Sequence, residues 1–89
     1  SRGAMFTLTL VTPDKKITTG AELEEITLPA FKGELNILPG HSPLMTTLTS
    51  GVLKFRLKGE AEQKLAISWG YCQVSSAGVN VLAENAVVA

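Results

Sequence analysis

Strict alternation of apolar and polar residues constrains this chain more than any other feature. In its clearest run, apolar side chains stand at positions 53, 55 and 57 and basic ones at 54, 56 and 58, as Leu-Lys-Phe-Arg-Leu-Lys. A period of two is typical of a strand with one buried face. No segment keeps the 3.6-residue period of a helix for ten residues. The pattern therefore predicts an all-β fold.

Three shorter runs predict strands in the first half of the chain. Residues 6–10 alternate without error, residues 23–28 put Ile26 and Leu28 on one face, and residues 35–38 form a short apolar run. Pro29 is predicted to end the second strand and Pro39-Gly40 the third, because proline lacks the N–H that a sheet ladder needs.

The second half predicts a strand with an irregularity. Leu65, Ile67 and Trp69 share one face, but Cys72 and Val74 fit only if the alternation shifts at Gly70. A glycine at such a shift indicates a bulge. Residues 79–81 predict a short last strand, and a helix is allowed to begin near 84–86.

Turn residues separate these strands at 12–14, 58–60 and 75–78. Short strands every eight to twelve residues are typical of a sandwich or barrel. At 89 residues the chain is one domain. Residues 1–4 before Met5 look like the remnant of a cloning linker, which leaves residues 5–89 as a single β domain.

Composition argues against several classes of partner. Eight basic and eight acidic residues cancel, so no basic surface is predicted for nucleic acid. No apolar run approaches the roughly 20 residues of a membrane span, and no signal peptide is recognisable. One cysteine, Cys72, suits a reducing, cytoplasmic compartment.

No pattern in the chain predicts catalysis, a metal or a cofactor. His41 is the only histidine, and a nucleophilic Cys72 would need it as a neighbouring base. One His and one Cys do not make a zinc site. Glu22, Glu24 and Glu25 are interpreted as a solvated acidic face rather than a paired-carboxylate site. The glycines at 33, 40 and 51 lack the lysine of a phosphate loop.

The segment Gly33–Pro43 is predicted to form a stiff, exposed turn. Pro39 fixes its own φ, and Gly40 permits a positive φ. A rigid turn presents groups to a partner at little entropic cost. From the residues alone, a partner contact and a plain turn between two core strands are equally good interpretations.

This segment resembles the ε subunit of bacterial and chloroplast rotary ATP synthases, whose mitochondrial equivalent is called δ. The family pattern Gly-Glu-x-Gly-Ile-x-Pro-Gly-His-x-Pro-Leu is matched by Gly-Glu-Leu-Asn-Ile-Leu-Pro-Gly-His-Ser-Pro-Leu at 33–44. Val-Thr-Pro-Asp at 11–14 and Val-Asn-Val-Leu-Ala-Glu at 79–84 resemble the family's first and last strands. The resemblance spans nearly all of residues 6–86.

Two positions depart from the family pattern. Asn36 stands where the family has glycine, and it is predicted to keep the turn because asparagine tolerates a left-handed φ. Trp69 replaces the first glycine of a Gly-Gly-aromatic step, which predicts altered packing there.

The resemblance implies a ten-stranded antiparallel β-sandwich that joins the γ subunit to the c-subunit ring and does no chemistry. It implies that Glu34, Pro39, Gly40, His41 and Pro43 contact the c ring. Leu44 and Met45 would belong to an apolar surface near γ. The isolated domain is expected to be a monomer without a cofactor.

The resemblance also predicts where the protein lies and what it lacks. As part of ATP synthase it is expected on the cytoplasmic face of the bacterial inner membrane, with the stromal side of the thylakoid as the alternative. The family's C-terminal helical hairpin is absent from this chain, so we expect the polypeptide to couple γ to the ring without inhibiting hydrolysis through a hairpin.

Two other functions remain open at this point. The first is a stand-alone β-sandwich adaptor that binds extended peptides along a free strand edge. The second is a small enzyme that uses His41 as a base.

Overall fold

A computed structural model describes residues 5–89, and the predicted cloning remnant at 1–4 lies outside the described residues. Seven strands make up the described fold: β1 (Thr7–Thr12), β2 (Lys15–Ala30), β3 (Gly33–Ile37), β4 (Leu44–Leu48), β5 (Gly51–Leu57), β6 (Gln63–Ser75) and β7 (Gly78–Val88). No helix occurs among residues 5–89, and hence none there that is long and apolar enough to cross a membrane. The all-β prediction is confirmed.

The strand pairings divide the fold into two layers. In the first layer the order is residues 15–22 of β2, then β1, residues 78–82 of β7, residues 70–75 of β6, and β4. In the second layer it is β3, residues 23–30 of β2, β5, residues 63–68 of β6, and residues 85–88 of β7. Strands β2, β6 and β7 thus run through both layers.

These shared strands explain a difference from the expected count of ten. Each layer contains five strand segments, but three continuous strands supply two segments each, so the chain has seven strands. The sandwich is also not wholly antiparallel, because β1 and β7 pair in parallel. Parallel neighbours need a long crossover connection, which strands near opposite ends of the chain have.

The core lies between the two layers and is made of the inward side of each strand. Its largest fully buried side chains are Leu8, Leu10, Leu23, Ile26, Leu28, Ile37, Leu48, Leu53, Val74, Val79 and Val81. Cys72 is buried among them. The alternation at 53 and 55 is confirmed, since Leu53 and Phe55 are both in the core.

Two strand ends differ from the sequence prediction. Pro29 does not end β2, because it still pairs with Glu34 and its carbonyl accepts a hydrogen bond from the Thr49 N–H at 3.1 Å. The helix that the sequence allowed near 84–86 does not form. Asn85 and Ala86 pair with Ser68 and Ile67 of β6, so β7 continues as a strand.

Trp69 was expected to face the core with Leu65 and Ile67, and that prediction is wrong. Its side chain is 53% exposed, and its φ is 58°. The buried positions of β6 shift from 65 and 67 to 72 and 74 across this residue, so the predicted irregularity is present. The irregular backbone turns Trp69 outward at the place where β6 passes between layers.

Candidate partner surface

The predicted turn is shorter than the segment Gly33–Pro43. Residues 33–37 are strand β3, and the turn proper begins at Leu38, whose carbonyl accepts a hydrogen bond from the His41 N–H at 3.1 Å. Gly40 has a φ of +89° and follows Pro39, as a type II turn requires. Both residues are exposed. The local sequence therefore fixes a stiff turn at the end of β3.

His41 lies at the end of this turn with its ring held against the backbone. Its Nδ1 is 2.7 Å from the Ser42 carbonyl oxygen, which accepts a hydrogen bond from the ring N–H. The side chain is half-buried, and the neighbouring Ser42 and Pro43 are exposed. His41 thus presents a fixed ring edge at the surface.

Cys72 does not have the surroundings of a nucleophile. Burial raises the pKa of the Cys72 thiol to about 11, so the thiol stays protonated near neutral pH. The residue is fully buried within β6. A protonated, buried thiol reacts poorly, and the cysteine serves as a small core side chain.

Glu34 lies at the opposite end of β3 from the turn. Four residue-to-residue steps of extended chain lead from Glu34 to Leu38, a distance of about 13 Å. Glu34 is exposed, and β3 pairs on one side only, with β2. The residues expected to contact a ring therefore lie along one free sheet edge, with the carboxylate at one end and the turn at the other.

Asn36 occupies the middle of this edge strand, and the reason given for its tolerance is wrong. It pairs with Thr27 in regular strand conformation, and Trp69 is the only non-glycine residue with positive φ in residues 5–89. The Asn36 amide donates to Glu25 Oε2 at 2.9 Å and to Thr27 Oγ1 at 3.0 Å. Asparagine fits here because its side chain bonds the adjacent strand.

The two residues expected near γ have different orientations. Met45 is 62% exposed and points away from the core. Leu44 is half-buried and packs against the core. Met45 alone of the pair lies on an outer face.

That outer face, on the first layer, carries little charge. Its eight central outward residues are Thr9, Val11, Met45, Thr47, Tyr71, Gln73, Asn80 and Leu82, and none is ionisable near neutral pH. Two grooves cross it, one lined by Pro13, Trp69, Gly70, Tyr71, Leu82, Ala83 and Glu84. The second includes Tyr71 and Leu82 as well. We call this surface the neutral face.

The outer side of the second layer is charged instead. Arg56 on β5 places its Nε 2.9 Å from Glu24 Oε1 and its Nη1 3.5 Å from Glu25 Oε1. Lys58 Nζ lies 3.7 Å from Glu22 Oε2. The hydrogen bond that the Arg56 Nε–H donates to Glu24 Oε1 raises the pKa of the guanidinium. The three glutamates are therefore balanced by cations across the β2–β5 pair, and no group of three metal-ligating side chains occurs in residues 5–89.

Sequence reasoning missed a group of exposed aromatic side chains at and beside the neutral face. The rings of Phe31 and Trp69 have centroids 6.2 Å apart and are tilted by 47°. Phe31, Trp69 and Tyr71 are all exposed. A signal was present: once Cys72 and Val74 are inward, Tyr71 must point outward at a position that usually holds a polar residue.

Comparisons with known proteins agree on one family. Residues 5–89 match the family described as "ATP synthase, Delta/Epsilon chain, beta-sandwich domain". An ATP synthase epsilon chain of Bdellovibrio bacteriovorus is 67% identical over 78 residues, which cover 86% of this chain and 56% of the relative. An ATP synthase epsilon chain of Helicobacter acinonychis is 37% identical over 84 residues, which cover 94% of this chain and 67% of the relative.

Solved structures show the same fold. A chain in the cryo-EM structure of the Euglena gracilis mitochondrial ATP synthase (OSCP/F1/c-ring) superimposes with a TM-score of 0.89 at 28% identity, covering 97% of this chain and 54% of that one. A chain in the cryo-EM structure of the Tetrahymena thermophila mitochondrial ATP synthase (central stalk/c-ring) superimposes with a TM-score of 0.86 at 18% identity. The match covers 99% of this chain and 69% of that one. The chain studied thus spans about half the length of the first relatives it matches.

Proposed function

The chain belongs to the delta/epsilon-chain β-sandwich family of ATP synthase, and we propose that it is a non-catalytic part of the rotor that links the γ subunit to the c ring. The family match over residues 5–89, together with a domain that has one neutral outer face and one charged one, carries this proposal. A neutral, partly apolar face suits a lasting protein contact, because little charge must be desolvated.

We assign the two partners to different parts of the surface. The free edge of β3 contacts the polar loops of the c ring through Glu34 at one end and Pro39, Gly40, His41 and Pro43 at the other. The neutral face packs against γ around Met45. Leu44 supports Met45 from inside rather than by direct contact.

The fold suits a part that transmits torque. Three strands run through both layers, so their continuous backbone joins the layer that holds the ring-facing edge to the layer that holds the neutral face. The turn at 38–41 is stiff because proline and a positive-φ glycine leave it few alternatives. Force applied at the edge is thus passed on with little deformation. We further propose that the chain lies at the cytoplasmic face of a bacterial inner membrane.

Complex formation with γ tests the central claim. The domain and the γ subunit from the same organism should form a complex at micromolar concentrations by analytical ultracentrifugation. Failure to associate at about 50 micromolar would count against the proposal, because interfaces of standard size bind with micromolar or tighter affinity.

Cross-linking tests the ring contact separately. In the assembled enzyme, Glu34→Cys and His41→Cys should each cross-link to cysteines placed in the c-subunit loops. Lys16→Cys is the control, because Lys16 is exposed on the strand at the far edge of the first layer. Equal yields from all three positions would contradict the assignment of the β3 edge.

One observation also favours the peptide-adaptor alternative. The outer edge of β3 is unpaired in the described fold, so an extended peptide has a strand to join. If extended peptides bind this edge while γ does not bind the domain, the adaptor function replaces the rotor function.

A further inference from the structure

The groove at the end of the neutral face combines two aromatic rings with one carboxylate. It has a volume of about 320 Å³ and is lined by Pro13, Trp69, Gly70, Tyr71, Leu82, Ala83 and Glu84. Most of its lining is apolar, and Glu84 supplies its only charge. The second groove continues from it past Tyr71 and Leu82.

Glu84 is not used by the domain itself. It takes part in none of the ion pairs found among residues 5–89, whereas Glu22, Glu24 and Glu25 all pair with cations. It is exposed on β7, across from the irregular part of β6. A carboxylate beside aromatic rings attracts a cation, because the ring faces and the carboxylate are both electronegative.

The aromatic wall of the groove is held in place before any partner arrives. Trp69 has a φ of 58°, in the left-handed region where a non-glycine side chain is strained. Phe31 packs against the Trp69 ring, and the two ring centroids are 6.2 Å apart. At the other rim, the Thr12 hydroxyl donates to Asp14 Oδ1 at 2.9 Å and closes the turn that carries Pro13. Strain kept at an exposed aromatic residue indicates a functional contact.

We propose that this groove binds the side chain of one arginine or lysine of the γ subunit. The aliphatic stem lies along Leu82, the cation faces the rings of Trp69 and Tyr71, and Glu84 accepts its hydrogen bond. Charge complementarity at an otherwise neutral face selects a basic side chain. This inference rests on the proposed function, and it names the anchor of the γ contact.

Binding to γ measured by tryptophan fluorescence tests the anchor directly. Trp69 is the only tryptophan of the chain, so its emission reports the groove alone once a tryptophan-free γ is used. We expect the emission to shift to shorter wavelength when γ covers the ring. Glu84→Gln should weaken binding about tenfold, the size expected of one desolvated cation contact.

Two further variants separate the anchor from general effects. Trp69→Gly has no tryptophan, so its affinity is measured by analytical ultracentrifugation, and it should also bind about tenfold more weakly. The variant keeps the backbone because glycine adopts positive φ freely. Glu60→Gln, a matched loss of charge on the exposed β5–β6 turn, should leave the affinity unchanged. Raising the salt concentration should lower the affinity of the unmodified domain for γ more than it lowers the affinity of Glu84→Gln. Thermal midpoints within a few degrees would show that all three variants remain folded.

The possible failures have different meanings. If the unmodified domain does not bind γ, the proposed function and this inference are both overturned. If it binds γ, but Glu84→Gln and Trp69→Gly bind equally well, the rotor function stands and the anchor is rejected. An unchanged Trp69 emission in the complex would also reject it.

Discussion

Trp69 occupies a backbone conformation that glycine adopts at no steric cost. Its φ of 58° lies in the left-handed region, and its ring lies at the surface, where it packs against Phe31. The resembling family has glycine at this place, and the positive φ supplies a physical reason for that glycine. The side chain is therefore kept at a cost to stability.

Replacing Trp69 by two small residues measures that cost. Glycine normally destabilises a strand by about 0.5–1 kcal/mol relative to alanine. Here we expect the opposite order, with Trp69→Gly more stable than Trp69→Ala by about 1 kcal/mol, because alanine retains the strain. Urea unfolding of both variants measures the difference. An alanine variant as stable as the glycine variant would show that the position is not strained.

Cys72 makes stability depend on alkaline pH. Its pKa is raised by burial from 9.0 to about 11, so in the folded state the thiol holds its proton at pH values where the unfolded chain has lost it. Stability from this group is complete below pH 9 and is lost as the pH rises through 11. The loss amounts to about 2–3 kcal/mol at most.

A variant without the thiol isolates this effect. Cys72→Ala should unfold at lower urea concentration at pH 7, because it leaves a small cavity, but its stability should decline less between pH 8.5 and 10.5. If the free energy of unfolding declines equally with pH in the variant and in the unmodified protein, groups other than Cys72 cause the decline.

At the scale of the element, Gly78 decides whether β7 can start beside β1. Its φ is +147°, and a Cβ there would lie 2.6 Å from the Thr7 nitrogen and closer still to the Thr7 oxygen. The Thr7 N–H also bonds the Ala77 carbonyl at 3.0 Å, so the two backbones cannot separate without losing pairing. Only glycine fits at the start of the parallel β1–β7 pair.

Alanine substitutions at two glycines distinguish this crowding from φ strain. Gly78→Ala should destabilise the domain by on the order of 4 kcal/mol, because backbone atoms must move. Gly59→Ala should cost only about 1 kcal/mol, because its φ is +77° but a Cβ there meets nothing within 4 Å. Thermal unfolding of both variants measures the two losses of stability. Similar losses in the two variants would contradict the role assigned to Gly78.

The boundaries of the elements show how far local signals reach. The turns at 12–14, 58–60 and 75–78 were predicted correctly because proline, glycine and polar residues act over a few bonds. The continuation of β2 through Pro29 and of β7 through Ala86 was not predictable in this way. Both depend on partners distant in sequence, Thr49 for Pro29 and Ile67 for Ala86.

At the scale of the whole molecule, the shared strands make the two layers one unit. Strands β2, β6 and β7 each contribute to both, and all large buried side chains form one core cluster. Neither layer has a core of its own. The torque transmission that we propose for this domain would benefit from this arrangement, because no boundary between separate cores can deform first.

Unfolding should therefore be a single transition. We expect circular dichroism of the strands and Trp69 fluorescence to give the same midpoint in urea, and the calorimetric enthalpy to equal the van't Hoff enthalpy. Amide exchange should show similar protection in residues 70–74 of the first layer and 53–55 of the second. Protection lost in one layer at lower denaturant would show that the layers unfold separately.

The sequence by itself determined the all-β class, the main turns, the inward faces at 53–55 and 72–74, and the motif at 33–44 that resembles one family. These follow from alternation and turn chemistry, which act between near neighbours. Only the tertiary structure decided that three strands cross both layers, that β1 and β7 run parallel, and that Glu34 and the turn lie at opposite ends of one free edge. It also turned Trp69 outward beside Tyr71 and Glu84. These features arise from pairing between residues far apart in sequence, and no local pattern encodes which distant strand will be the partner.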